Sequence, residues 1–172
     1  ACRGIGYVYL HKGEWHQAIP WLERGLEVCR VWDIPLLLYL VSSTLGYAYV
    51  LAGRVSDALP LLEQSVATEA MGVMRGRVHV WLSEAYLRLG RLDEALAVAV
   101  RGLECCRTHA QQGEQAWALR LLVEIYAHRL PPETELAEAS CREALALAEE
   151  LGMRPLVAHC YRGLGMLYAQ TG

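Results

Sequence analysis

The sequence predicts an all-α chain of about nine antiparallel helices joined in hairpins, and three observations carry that reading. A frame of small, aromatic and glycine residues recurs: Gly6, Tyr9, Gly13, Ala18, Gly25; then Gly46, Tyr49, Gly53, Ala58, Ser65; then Ser83, Tyr86, Gly90, Ala95, Gly102. Two further copies centre on Tyr126 and Tyr168, so successive tyrosines stand 40, 37, 40 and 42 residues apart, a self-similarity that marks stacked supersecondary units. The glycine four residues after each of the first three tyrosines supplies the left-handed conformation that ends a helix. On a wheel of 100° per residue the positions seven, four and three before the tyrosine share its face: Cys2, Ile5 and Gly6 in the first copy, Tyr161, Leu164 and Gly165 in the last.

Taken in order, Ala1 to Lys12 reads as a first helix already under way when the chain begins, closed by Gly13. The second helix runs from about Trp15 to Arg30. Asp33 as N-cap and Pro35 in the first turn then open the third. From Ile34 to Ala52 no residue is charged, a length that would admit a membrane span. Ser42, Ser43, Thr44 and Gly46 dilute that stretch, however, and Gly46, Tyr49 and Gly53 fall on the repeat frame, so it reads as a helix sandwiched between neighbours. Helix four is expected from an N-cap at Ser56, which puts Pro60 at the fourth helical position, where it deletes at most the first internal hydrogen bond. Helices five and six, about Arg75 to Leu89 and Leu92 to His109, form the clearest pair. The fourth copy departs: Val123 replaces the small residue, Leu130-Pro131-Pro132 replaces the glycine turn, and this stiffer connection is expected to splay the pair or shift its second helix, about Glu133 to Leu151. Gly152 ends that helix and Pro155 opens the last, which reaches Gln170. Its partner helix is missing, so Leu164, Leu167 and Tyr168 are expected to present an apolar strip open to self-association.

The small residue of the frame lets the second helix approach closely, where Ala18, Ala58 and Ala95 meet it; a larger side chain in place of that alanine would overpack by about 1 to 3 kcal/mol. Asp33, Asp57 and Asp93 stand at helix starts, where capping accounts for them.

These small, aromatic, glycine and alanine positions resemble the tetratricopeptide repeat, a pair of antiparallel helices, over the whole chain. The resemblance implies a right-handed superhelical solenoid of four and a half repeats forming one domain over 1–172, with repeats at about 1–34, 35–71, 72–111, 112–152 and a half repeat at 153–172. The usual repeat has 34 residues and closes on a proline; here Arg30, Ala70, Arg107 and Glu149 stand in that place, so second helices longer by about a turn are expected. Lengthened repeats of this kind are similar to those of bacterial ATPase-linked adenylate cyclases and maltose-activator-type transcription regulators, and the tail EELGMRPLVAHCYRGLGMLYAQTG is similar to the C-terminal segments of the cyclase-type group. That likeness implies a fragment of a larger cytoplasmic bacterial signalling protein.

In tetratricopeptide proteins the face of each first helix turned away from its partner lines a concave groove where peptides or partner domains lie. Positions nine, six and two before the tyrosine and two after it project there, at about 120 to 200°. Carried over, they are Arg3, Tyr7 and His11; Leu40, Ser43, Tyr47 and Leu51; Arg77, Val80, Glu84 and Arg88; Trp117, Arg120, Glu124 and His128; His159, Arg162, Met166 and Gln170. Aromatic and arginine side chains supply much of the energy at interfaces. The competing reading is a solvated face, since Glu84 with Arg88 and Arg120 with Glu124 are four apart and can pair along a helix, each for about 0.2 to 0.5 kcal/mol. Tyr7, Tyr47 and Trp117 tip the balance towards binding, because solvation alone would make this face polar. Chaperone-binding members grip a terminal carboxylate with lysines and asparagines at these positions. This chain has no asparagine and offers Tyr7, Tyr47, Val80 and Glu84 instead, although five arginines against two glutamates still favour an acidic partner.

Composition narrows the classes further. At 172 residues and 54% hydrophobic the chain can bury a continuous core, and a net charge of −3 gives no sign of nucleic-acid binding. Lys12 is the only lysine, and neither Phe nor Asn occurs, as codon bias from a GC-rich genome would produce. The six cysteines show no framework spacing and suit a reducing cytoplasm as small buried hydrophobes. No catalytic residue, metal site or cofactor is expected: His159 and Cys160 are adjacent and diverge by about 100° on a helix, Cys105 and Cys106 likewise, and no H-E-x-x-H or phosphate-cradling loop occurs. Two functions remain: a non-catalytic interaction scaffold that binds a peptide, a partner domain or its own copy, or a regulatory domain that senses a small molecule in the groove. The first needs an open extended surface, the second a closed pocket with converging polar groups.

Overall fold

The computed structural model describes residues 1–68 and 72–171, with the side chains of 72–74, 170 and 171 excepted; Ala70 and the side chain of Gln170 thus lie outside the described residues. Among the described residues there is no strand. The helices are α1 (Cys2–His11), α2 (Trp15–Val31), α3 (Pro35–Leu51), α4 (Val55–Ala67), α5 (Gly72–Arg88), α6 (Leu92–Thr108), α7 (Gln112–His128), α8 (Thr134–Glu150) and α9 (Arg154–Thr171). The second helices α2, α6 and α8 each run 17 residues and α4 runs 13. The chain divides into two compact units, Ala1–Gly72 and Val73–Gly172.

In the first unit α1 packs on α2 and α3 on α4, while α3 also packs on α1 and α2. Enclosure by three helices is why α3 is apolar nearly all round: Tyr39, Val41, Leu45, Ala48, Tyr49 and Val50 are all buried. No described helix is long and apolar enough to cross a membrane. In the second unit α7 packs on α6, α8 and α9, and α8 on α9, around Leu119, Leu121, Ile125, Leu156 and Leu167.

The repeat frame has a direct structural expression in the hairpin turns. The tyrosine carbonyl accepts the amide of the residue five further on, Glu14 to Tyr9 at 2.9 Å, Arg54 to Tyr49 at 2.8 Å and Arg91 to Tyr86 at 3.0 Å. Gly13, Gly53 and Gly90 make that closure possible with φ of 76°, 76° and 72°. The fourth hairpin keeps the same bond across two more residues, from Glu133 to Tyr126 at 3.1 Å. α7 and α8 still pack directly, the second helix starts eight rather than six residues after its tyrosine, and Leu130 in the insertion is 94% exposed.

The small residues sit where the frame requires close approach. A Cβ on Gly6 would meet Leu22 Cγ at 2.6 Å and the Ala18 carbonyl at 3.3 Å; one on Gly46 would meet Leu62 Cγ at 2.8 Å and the Ala58 carbonyl at 3.5 Å. At the equivalent place Ser83 donates its hydroxyl to the Ala95 carbonyl at 2.7 Å. The tyrosine rings carry a second recurrent contact, Arg54 stacked 4.2 Å over Tyr49 and Arg91 4.5 Å over Tyr86.

Several local expectations are corrected. Asp33 is not an N-cap: Ile34 holds that place, and Asp33 takes a left-handed φ of 45°, which aspartate tolerates better than most residues. Ala110 (53°) and Gly152 (66°) occupy the matching turns after α6 and α8. Ser56 lies inside α4, whose N-cap is Arg54, so Pro60 stands at the sixth helical position and removes an interior hydrogen bond. Asp57 and Asp93 make ion pairs with Arg54 and Arg129 rather than capping a helix. The strip expected on the last helix is also different: Leu167 is fully buried and Leu164 half-buried, while Tyr161, Met166 and Tyr168 are exposed.

Candidate functional site

In the first unit the carried-over residues of α1 form a row. Arg3 lies 5.7 Å from the Tyr7 ring centroid, the Tyr7 and His11 rings are 4.2 Å apart, and His11 Nδ1 donates to the Tyr7 carbonyl at 3.0 Å. Tyr47 is half-buried on α3. Spacing of four residues places these rings on one helix face, so the row follows from the helix alone.

The second unit gathers more. Arg120 and Arg162, from α7 and α9, both donate to Glu124 Oε1, at 2.8 and 3.3 Å. Arg120 also lies 5.5 Å from the Trp117 ring centroid, and that ring is 6.0 Å from His159 of α9. On α5, Arg88 donates to Glu84 Oε1 at 2.9 Å. Glu84, Arg88, Glu124 and His128, with Leu87, Gly90 and Leu92, line an open groove of about 380 Å³, and the His128 ring is held by its bond to the Glu124 carbonyl at 2.7 Å. Eight of the carried-over residues thus form one continuous surface over α5, α7 and α9. Arg77 does not join them: it is tied to Glu114 of α7 by an ion pair and a 2.7 Å hydrogen bond.

The electrostatics of this surface are those of a cationic site restrained by two carboxylates. His159 is held below the usual imidazole pKa, first by burial and then by the Arg120 and Arg162 guanidiniums, with Glu124 and Glu84 opposing. Neutral His159 therefore leaves three arginines against Glu84 and Glu124. Arg120 is only 8% exposed, and its Nε is buried without a hydrogen bond among the described residues, so the polar demand of its guanidinium is only partly met.

Carried-over residues at one position of the frame differ in how far they reach solvent. Six before the tyrosine, Ser43 (0%), Val80 (5%) and Arg120 (8%) are buried, whereas Arg3 is half-buried and Arg162 exposed, so the position alone does not settle access to solvent. The angle on an isolated wheel cannot report this, because it omits the neighbouring hairpin. Both pairs expected from spacing, Glu84 with Arg88 and Arg120 with Glu124, form. The groove floor, Leu87 and Leu92, went unmarked in the sequence because those residues fit a helix core equally well.

Other chemistry finds little support here. All six cysteines are free, with Cys29, Cys106, Cys141 and Cys160 buried. Burial pushes the Cys106 thiol up to about 12, far from the thiolate that nucleophilic chemistry needs. Among the described residues no three His, Cys, Asp or Glu side chains come together to hold a metal ion.

Comparison with known proteins bears on the fold. Two family models described as tetratricopeptide repeat match residues 43–110 and 1–30. No curated protein matches the sequence. Among solved structures, BtubC (BKLC) from P. vanneervenii is similar over 91% of this chain at 21% identity with a TM-score of 0.71; the match covers 66% of that protein, so the chain spans slightly less than two thirds of its length. A Podosopora anserina protein of nearly identical TPR-like repeats is similar over 99% of this chain and 94% of its own, at 20% identity and a TM-score of 0.56. Its Q17M form is similar at a TM-score of 0.55.

Proposed function

The chain belongs to the tetratricopeptide-repeat family, and from that premise we propose that it is a non-catalytic scaffold whose α5–α7–α9 face binds a protein or peptide. The observation that carries this reading is the convergence of Trp117, Arg120, His159 and Arg162 with Glu84, Arg88, Glu124 and His128 into one surface. An exposed helix face stabilised only by its own ion pairs has no need of Trp117 placed 5.5 Å from Arg120 and 6.0 Å from His159 of α9. The groove beside Arg88 is open, which suits an extended segment or a partner domain better than a small molecule. Three arginines against two carboxylates favour an acidic partner. The row Arg3, Tyr7 and His11, with Tyr47, is proposed as a secondary contact region of the first unit. The lengthened repeats support placing the chain in a cytoplasmic bacterial signalling or regulatory protein.

The test is titration calorimetry of the protein against acidic and neutral peptide pools, alongside an Arg88→Ala, Trp117→Ala double variant. Arg88 is exposed and Trp117 half-buried on the same surface, and with helicity unchanged by circular dichroism binding should fall by about 2 kcal/mol or more. A double variant with wild-type helicity and wild-type affinity would overturn the assignment of the face.

A further inference from the structure

The α2–α3 corner exposes an apolar cluster that the fold does not require. Val31 and Trp32 are 75% and 72% exposed, and Ile34, Leu36 and Leu37 lie beside them at 37%, 51% and 42%. The next described corner of the same kind, between α6 and α7, tests whether the architecture demands this. Aligned on the tyrosine frame, residues 31–37 read VWDIPLL and residues 108–114 read THAQQGE. Both corners close alike, with Ile34 bonded to the Cys29 carbonyl at 3.1 Å and Gln111 to the Cys106 carbonyl at 2.9 Å, and both place a left-handed residue, Asp33 or Ala110, at the turn. A polar sequence therefore makes the same turn, so the apolar one at 31–37 has another cause.

We propose that this corner is the contact through which two copies of the chain associate. The cluster presents on the order of 500 Å² of apolar surface, at the upper end for a monomer, and with its rim approaches the ~800 Å² per partner of a standard interface. Trp32 at its centre is the residue type that anchors such contacts. The rim is charge-balanced: Arg30 and Asp33 are both exposed, and neither makes an ion pair among the described residues. A two-fold contact brings Arg30 of one copy to Asp33 of the other, and the reverse, so one patch supplies both signs. The same balance gives an anionic membrane surface nothing to hold.

Sedimentation velocity over about 10 to 200 µM tests the proposal, a range that resolves a Kd of about 10 to 100 µM. The wild type should shift from monomer to dimer. Trp32→Glu should weaken the dimer at least tenfold, Arg30→Asp should also weaken it, and Arg30→Asp with Asp33→Arg should restore it. Should Trp32→Glu fail to fold, the charge-reversal pair still decides. The Arg88→Ala, Trp117→Ala variant should dimerise normally, which separates this contact from the groove. A wild type that stays monomeric throughout, a Trp32→Glu variant that dimerises as well as wild type, or a dimer abolished by Tyr168→Ser instead would each overturn it.

Discussion

Gly46 offers a test of why the frame carries a small residue three before the tyrosine. An alanine there would place its Cβ 2.8 and 2.9 Å from Leu62 Cγ and Cδ2, with the Ala58 carbonyl 3.5 Å behind. Leu62 is fully buried, so neither partner can move without disturbing the core. Overpacking costs about 1 to 3 kcal/mol, and the upper half applies because the clash is with a branch atom rather than a chain end. Replacing a mid-helix glycine returns about 1 kcal/mol, leaving Gly46→Ala destabilised by about 1 to 2 kcal/mol. The decisive arm is the Leu62→Ala background. Leu62→Ala alone should cost about 2 to 5 kcal/mol, and adding Gly46→Ala to it should be stabilising by about 1 kcal/mol, since the clash is gone and only helix propensity remains. Urea midpoints at unchanged slope measure all four proteins. If Gly46→Ala destabilises equally in both backgrounds, close approach to Leu62 is not the reason for the glycine.

Two further outcomes follow from buried groups. His79 is 6% exposed, and burial holds its imidazole below the usual pKa, with Arg101 and Arg75 adding repulsion, although its Nδ1 donates to the Arg75 carbonyl at 2.7 Å. The unfolded chain takes up that proton near pH 6.5, so this contribution to stability is full above that pH and declines as pH falls through it towards the lower native pKa. Urea midpoints at about pH 7.5 and 5.5 should drop less in His79→Leu than in wild type; equal drops would show that another group governs the acid limb. Native protein treated with a disulfide reagent should label Cys2 and Cys105 quickly, and Cys29, Cys106, Cys141 and Cys160 only on unfolding, with absorbance counting the thiols released. Rapid labelling of a buried four would contradict the packing of α2, α6, α8 and α9.

The local reading and the tertiary structure divide along a physical line. Tyr9, Tyr49 and Tyr86 with the glycines four residues on were legible because a turn is local: it depends on one positive φ and one bond from the residue five further on. The same locality made the pairs Glu84 with Arg88 and Arg120 with Glu124 readable from spacing alone. Cap identities were less legible, since Asp33 serves a left-handed turn as readily as an N-cap and composition does not say which. What a wheel could not foresee was the effect of the adjacent hairpin. In the second unit it leaves Arg120 and Leu167 buried and brings Arg162 and His159 of α9 to Glu124 and Trp117 of α7, residues at least 35 apart in the chain. Sequence by itself determined the helices and the glycine turns, because hydrogen bonds within a few residues set them; within the second unit, which side chains converge was decided only by the packing of α7 against α9.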